Sequence, residues 1–154
     1  MHVYLIRHGD AVAKDVDRTR PLTEAGRATT TQVAAWFGRV ATVRAPHVLS
    51  SDKLRAEQTA QVIAAEFRGA KLEHAPDLYP DEDPAPWLKR LARATHDVIL
   101  VGHCPNLERL ASLLLTGAAD GSVLSLQKSG IACFARLDTG GWSLLWLVQP
   151  AQIV

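Results

Sequence analysis

Val3-Tyr4-Leu5-Ile6-Arg7-His8-Gly9-Asp10 is the stretch from which the rest of the chain is read. Four consecutive apolar residues suit a strand buried on both faces, and the run stops abruptly at Arg7-His8-Gly9. In open α/β sheets, ligands bind at the C-terminal ends of such strands. The same junction recurs in Val98-Ile99-Leu100-Val101-Gly102-His103, and Arg55 stands at the start of a helical stretch between the two. Two histidines and two arginines, placed by two strand ends and a helix start, outline a pocket for a phosphoryl group.

Working outward, strand and helix signals alternate. Thr23 is an N-cap candidate for a helix over about residues 24–41, with Val33, Ala34, Trp36, Phe37 and Val40 at helical spacing. Pro46–Ser50 reads as a buried strand, and Ser51 or Asp52 as the cap of a helix over roughly 53–67. Residues 71–74 form a short strand, the proline- and acid-rich stretch 76–86 a loop, and about 86–95 a helix. Pro105 suits the first turn of a helix reaching about Leu115. Ile131–Leu137 and Trp142–Val148 flank Asp138-Thr139-Gly140-Gly141 as an antiparallel hairpin, and alternation puts Trp142 and Trp146 on one shared face. The expected architecture is one domain over residues 1–154, a three-layer α/β/α sandwich with a mainly parallel sheet and an antiparallel edge hairpin.

Composition narrows the partners. A chain of 154 residues buries roughly 70% of its extended surface, enough for a real core. Seventeen basic residues nearly balance sixteen acidic ones, and no Lys/Arg run marks a nucleic-acid surface. No apolar run is long enough to span a bilayer, and no signal peptide is visible, so no membrane partner and a cytoplasmic location are expected. Cys104 and Cys133 read as free thiols of a reducing compartment.

The site residues carry distinct chemistry. Planar guanidinium groups pair bidentately with phosphoryl oxygens, a clamp that Arg7 and Arg55 can supply. Arg55 gains from the free N–H groups and dipole of its helix start; alone, it would read as an exposed helix arginine. His8 and His103 are either nucleophile and electrostatic stabiliser or metal ligands. The other histidines follow no ligand spacing and two arginines repel a divalent cation, so no metal or other cofactor is expected. A neutral His8 can attack phosphorus in line. Cys104 and Arg109 are four residues apart, not five, and Pro105-Asn106-Leu107-Glu108 lacks the small residues of a thiol-phosphatase loop.

Four ordered motifs then resemble a known family. Arg7-His8-Gly9, Leu22-Thr23-x-x-Gly26, Ser51-x-x-Leu54-Arg55-Ala56-x-x-Thr59 and Gly102-His103 resemble the histidine phosphatase (phosphoglycerate mutase-like) superfamily over residues 2 to about 115. Arg7-His8-Gly9-Asp10-Ala11, Arg20-Pro21-Leu22-Thr23, Leu54-Arg55-Ala56-Glu57-Gln58-Thr59 and the short chain look most like its SixA-type phosphohistidine phosphatases. The resemblance implies His8 as nucleophile, with Arg7, Arg55 and His103 binding the phosphoryl oxygens. It also implies an approach by Arg20, whose plain alternative is a loop salt bridge. Asp52 departs from the family's proline and is expected to point outward.

Relatives that cleave phosphate esters carry a leaving-group acid between Arg55 and His103. The candidates here are Asp81, Glu82 and Asp83, which also read as an acidic helix start. Asp10 is a further acid near His8. Without an acid, phosphohistidine fits, because an imidazole leaves more easily than an alkoxide. The expected substrate is a histidine-phosphorylated protein, such as a phosphotransfer domain in a signalling relay. The alternatives are a small phosphomonoester, with an acid from residues 81–83, and a non-catalytic phosphate-binding module.

Overall fold

The two most apolar runs of the sequence pair with each other. Strand β1 (His2–Arg7) lies parallel to β4 (Val98–Gly102), in a register running from Val3↔Val98 to Arg7↔Gly102. The structure is a computed structural model that describes residues 1–44 and 46–153. Its other strands are β2 (His47–Ser50), β3 (Lys71–His74), β5 (Ile131–Arg136) and β6 (Trp142–Val148), giving the sheet order β3-β2-β4-β1-β5-β6. The pairs β3–β2, β2–β4 and β4–β1 are parallel, whereas β5 runs antiparallel to both β1 and β6. The expected edge hairpin is therefore present.

Alternation along β1 builds the layers. Tyr4 and Ile6 face α1 (Glu24–Val40) and α2 (Leu54–Ala64), where Phe37, Ile63 and Ala60 are fully buried. Val3 and Leu5 face α3 (Ala85–Arg93) and α4 (Asn106–Thr116), through Trp87, Leu91, Leu107 and Leu110. This is the three-layer α/β/α sandwich. Among the described residues, no helix is long and apolar enough to cross a membrane.

Three local expectations are corrected. Trp142 packs with the α3/α4 layer and Trp146 with the α1/α2 layer, not on one face. A bulge is responsible: Cys133 pairs with Trp146 but Phe134 with Leu144, so Leu145 is the extra residue that reverses the alternation. Helix α2 stops at Ala64 rather than 67, because Glu66 and Phe67 turn back onto Ile63 and Ala64 in tighter three-residue bonds. Its N-cap is Lys53, without a side-chain bond, so neither Ser51 nor Asp52 caps it.

The start of α1 shows how closely the layers approach β1. Thr23 Oγ1 accepts from Gly26 N at 2.9 Å, and Thr23 N donates to Asp10 O at 3.0 Å. A Cβ on Gly26 would lie 2.2 Å from Asp10 O, a backbone atom. Helix propensity alone would make Gly26→Ala stabilising by about 1 kcal/mol. The clash reverses the sign, and urea denaturation is expected to show a loss of about 1–3 kcal/mol. A gain in stability would mean that the approach is looser than described.

Candidate active site

His8 is the first residue past β1, and its backbone N–H donates to Gly102 O at 3.0 Å, the last residue of β4. His103 is the next residue after Gly102. The register therefore sets the two imidazoles side by side, with ring centroids 4.9 Å apart. Both are buried, His8 at 7% and His103 at 2% exposure.

The protons can be assigned from the partners. His8 Nδ1 lies 2.7 Å from Gly9 O, a pure acceptor, so Nδ1 carries the proton and Nε2 keeps its lone pair. Gly9 is held in turn: its N–H donates to Thr59 Oγ1 at 3.0 Å, and Thr59 donates to Arg55 O at 2.7 Å. A Cβ on Gly9 would lie 2.5 Å from Thr30 Oγ1, so only glycine fits there without a shift.

Arg55 links the two rings. Its Nε donates to His8 Nε2 at 3.3 Å, and its Nη2 faces His103 Nδ1 at 3.4 Å. Because guanidinium can only donate, neutral His103 accepts at Nδ1 and donates from Nε2 to Ser51 Oγ at 2.7 Å. Arg7 Nη1 donates to Leu126 O at 2.7 Å, while its buried Nε has no acceptor among the described residues.

Electrostatics keeps both imidazoles neutral. Burial is the largest cause lowering His8 to about 4; its bond to Gly9 opposes this, and Arg55, Arg7 and Lys128 add to the fall. His103 is pushed down to about 3 by burial, His8, Arg55, Lys53 and Arg7. Every ionisable group acting on the two rings from outside the pair is a cation. Such an arrangement presents the His8 Nε2 lone pair beside guanidinium N–H donors and net positive charge, which suits an in-line attack on a tetrahedral anion.

The structure thus brings together Arg7, His8, Arg55 and His103. Arg20 lies nearby: after burial, its charge is the next cause that lowers Arg55. Its backbone is in the left-handed region, φ 51°, and its Nε bonds the carbonyl of Val12 at 3.0 Å rather than a carboxylate. Asp52 is exposed, as expected, and accepts from Tyr79 OH. Asp83 Oδ1 accepts from Ala85 N at 3.0 Å, at the start of α3, and Glu82 is tied through its carbonyl to Asn106 Nδ2 at 2.9 Å. Asp81 is exposed. None of the three carboxylates contributes to the shifts of His8 or His103. Burial raises both thiols to about 12, and Arg109 bonds Glu82 O, so no cysteine-phosphatase loop forms.

Several supporting residues have no distinct signal in the sequence. Ser51 and Thr59 stand inside a quoted motif, but their bonds to His103 and Gly9 emerge only in three dimensions. Ser129, at φ 62°, donates from its backbone to the carbonyls of Arg7 at 3.0 Å and His8 at 3.2 Å. Lys128 beside it forms an ion pair with Asp10.

Comparison with known proteins identifies the family. Residues 3–79 match the family model of the histidine phosphatase superfamily, branch 1. An uncharacterised protein of Picosynechococcus is 34% identical over 144 residues, covering 85% of this chain and 82% of that protein. The phosphohistidine phosphatase SixA of Escherichia coli K12 is 28% identical over 159 residues, covering 99% and 96%. A structure of the protein histidine phosphatase SixA complexed with tungstate superposes with a TM-score of 0.86 at 27% identity, covering all of both chains. The alpha-ribazole phosphatase of Shigella flexneri shares the fold, with a TM-score of 0.79 at 17% identity over 97% of each chain. The chain belongs to the histidine phosphatase superfamily, and its chemistry is that of a phosphatase.

Proposed function

We propose that the protein removes the phosphoryl group from phosphohistidine on another protein, such as a phosphotransfer domain of a signalling relay, in the reducing cytoplasm that its two free thiols suit. One observation carries this reading: the three candidate acids, Asp81, Glu82 and Asp83, lie exposed, Asp83 is engaged at the start of α3, and the charges acting on His8 and His103 are cationic. The likeness to SixA, named as a phosphohistidine phosphatase, supports it.

In this mechanism His8 Nε2 attacks phosphorus in line. The P–N bond to the substrate imidazole breaks, its electron pair stays on the departing nitrogen, and that nitrogen takes a proton from solvent. Arg7 and Arg55 hold phosphoryl oxygens, and His103 joins them by changing tautomer. Once an oxygen replaces Arg55 beside Nδ1, Ser51 Oγ–H donates to Nε2 and Nδ1–H donates to the oxygen, so the charge is stabilised mainly by electrostatics. A phosphoryl oxygen supplies the acceptor that Arg7 Nε lacks and replaces His8 as a partner of Arg55. Tungstate, the ligand of the SixA structure, is a tetrahedral oxyanion of the same kind. Water then attacks the phosphohistidine of the enzyme, releasing inorganic phosphate and restoring His8. Arg20 adds positive charge beside Arg55.

The first test offers a phosphohistidine protein, phosphoserine and an aryl phosphate. The expected order places phosphohistidine first, with an acid-labile, alkali-stable phosphoenzyme. His8→Ala should abolish the phosphoenzyme and lower turnover at least about a thousandfold. Glu82→Gln, and likewise substitution of Asp81 or Asp83, should leave phosphohistidine cleavage within about twofold, since a dispensable acid contributes none of its usual 100-fold or more. Faster turnover of phosphoserine, lost in Glu82→Gln, would make this an ester phosphatase; phosphate binding without turnover would make it a binding module.

The second test concerns pH. Both histidines bind protons more weakly in the folded protein than their ordinary value of 6.5. The unfolded chain therefore takes up protons first as pH falls below about 6.5, and stability declines from there toward the folded values. The slope from each histidine approaches about 1.4 kcal/mol per pH unit. NMR titration should place the His8 and His103 midpoints near 4 and 3, and a midpoint at 6 or above for His8 would contradict the buried, cation-ringed site.

A further inference from the structure

Asp10 and Lys128 form an ion pair at the rim of the site, with Nζ 2.5 Å from Oδ1 and each side chain about half exposed (47% and 48%). Neither touches the phosphoryl group in the mechanism above, where Lys128 acts on His8 only through its charge. Asp10 follows His8 by two residues and is pinned to the start of α1, because its backbone O accepts from Thr23 N and its Oδ2 accepts from Thr23 Oγ1 at 3.2 Å. Lys128 precedes Ser129, whose backbone N–H grips the carbonyls of Arg7 and His8. The pair therefore bridges the two segments that flank the candidate nucleophile.

The Lys128 charge reaches His8, so a substrate held at His8 comes within the field of its ammonium. Asp10 already shows which chemistry it takes, a carboxylate, and the partner is easily exchanged. An ion pair this exposed contributes about 0.2–1 kcal/mol, so another carboxylate can replace Asp10 at little cost. Asp10 loses little by it, since Thr23 still serves its other oxygen. The Lys128 bond also holds Asp10 below the usual carboxylate range, so Asp10 stays ionised near neutral pH and is a poor proton donor.

We propose that Lys128 is a specificity-determining residue that binds a carboxylate carried by the substrate close to its phosphoryl group, displacing Asp10, the internal carboxylate that occupies it in the free protein. On a protein substrate this selects an acidic side chain beside the phosphorylated residue. The inference rests on the phosphoryl site of Arg7, His8, Arg55 and His103, not on phosphohistidine being the substrate.

Calorimetric titration with methylphosphonate and with phosphonoacetate, which adds a carboxylate to the same head, tests it without turnover. The wild type should bind phosphonoacetate about two- to fivefold more tightly, the range set by an exposed pair. Lys128→Gln should bring the ratio near one, and Asp10→Asn should widen it. Lys53→Gln removes a different cation, one that acts on His103, and controls for the general positive field. A ratio near one in the wild type, an unchanged ratio in Lys128→Gln, or an equal loss in Lys53→Gln overturns the proposal while methylphosphonate binding keeps the phosphoryl site. Failure of both ligands to bind overturns the site and this inference with it.

Discussion

The parallel pairing of β1 with β4 is the constraint on which the site depends. Its last matched pair, Arg7↔Gly102, ends both strands at one level, so the residues that follow, His8 and His103, must stand together. A one-residue slip would turn each side chain to the opposite face and separate the rings. The register is held by burial on both faces: Leu5, Ile6, Ile99, Leu100 and Val101 are all fully buried between the helix layers. The core and the geometry of the histidine pair are thus one problem for the chain.

Onto that frame α2 and its preceding turn add the remaining parts. Ser51 holds His103, Arg55 spans both rings, and Thr59, one turn after Arg55, holds the Gly9 backbone that orients His8. Residues 55 and 59 are four apart and so share a helix face. The donor to the His8 lone pair and the anchor of the His8 loop therefore move as one body. This arrangement matters because buried cations beside neutral imidazoles oppose protonation of His8, and a site that loosened would admit water and lose that effect.

Much of this was legible in the sequence because it depends on short-range pattern. Two apolar runs ending in histidine, the Thr23 cap, and the turn residues before β6 each reflect a local rule, and the structure follows them. The misses come from effects beyond local pattern. The bulge at Leu145 depends on how β6 meets β5, so strand alternation misplaced one tryptophan relative to the other. Ser51 had two possible uses, cap or histidine partner, and the position of His103, far along the chain, decided between them. Lys128 and Ser129 lie in an irregular stretch with no periodicity, and they matter only because that stretch returns to the end of β1. Asp83 followed its plain reading as a helix-start acid.

The cation ring also bears on the leaving group. An acid that protonates an alkoxide near neutral pH must stay protonated there, which requires its carboxyl to be raised by burial or by another negative charge. Beside Arg7, Arg55, Lys53 and Lys128, a carboxyl would be drawn the other way, as Lys128 already does to Asp10. The features that keep His8 neutral and bind a phosphoryl dianion therefore work against a carboxylic acid in the same space. An ester phosphatase resolves this conflict by placing its acid away from the cations, on the leaving-group side. Cleavage of a P–N bond avoids it, because the imidazole nitrogen departs without an alkoxide's need for a proton. On that account the proposed substrate class rests on the charge balance of the site as well as on His8.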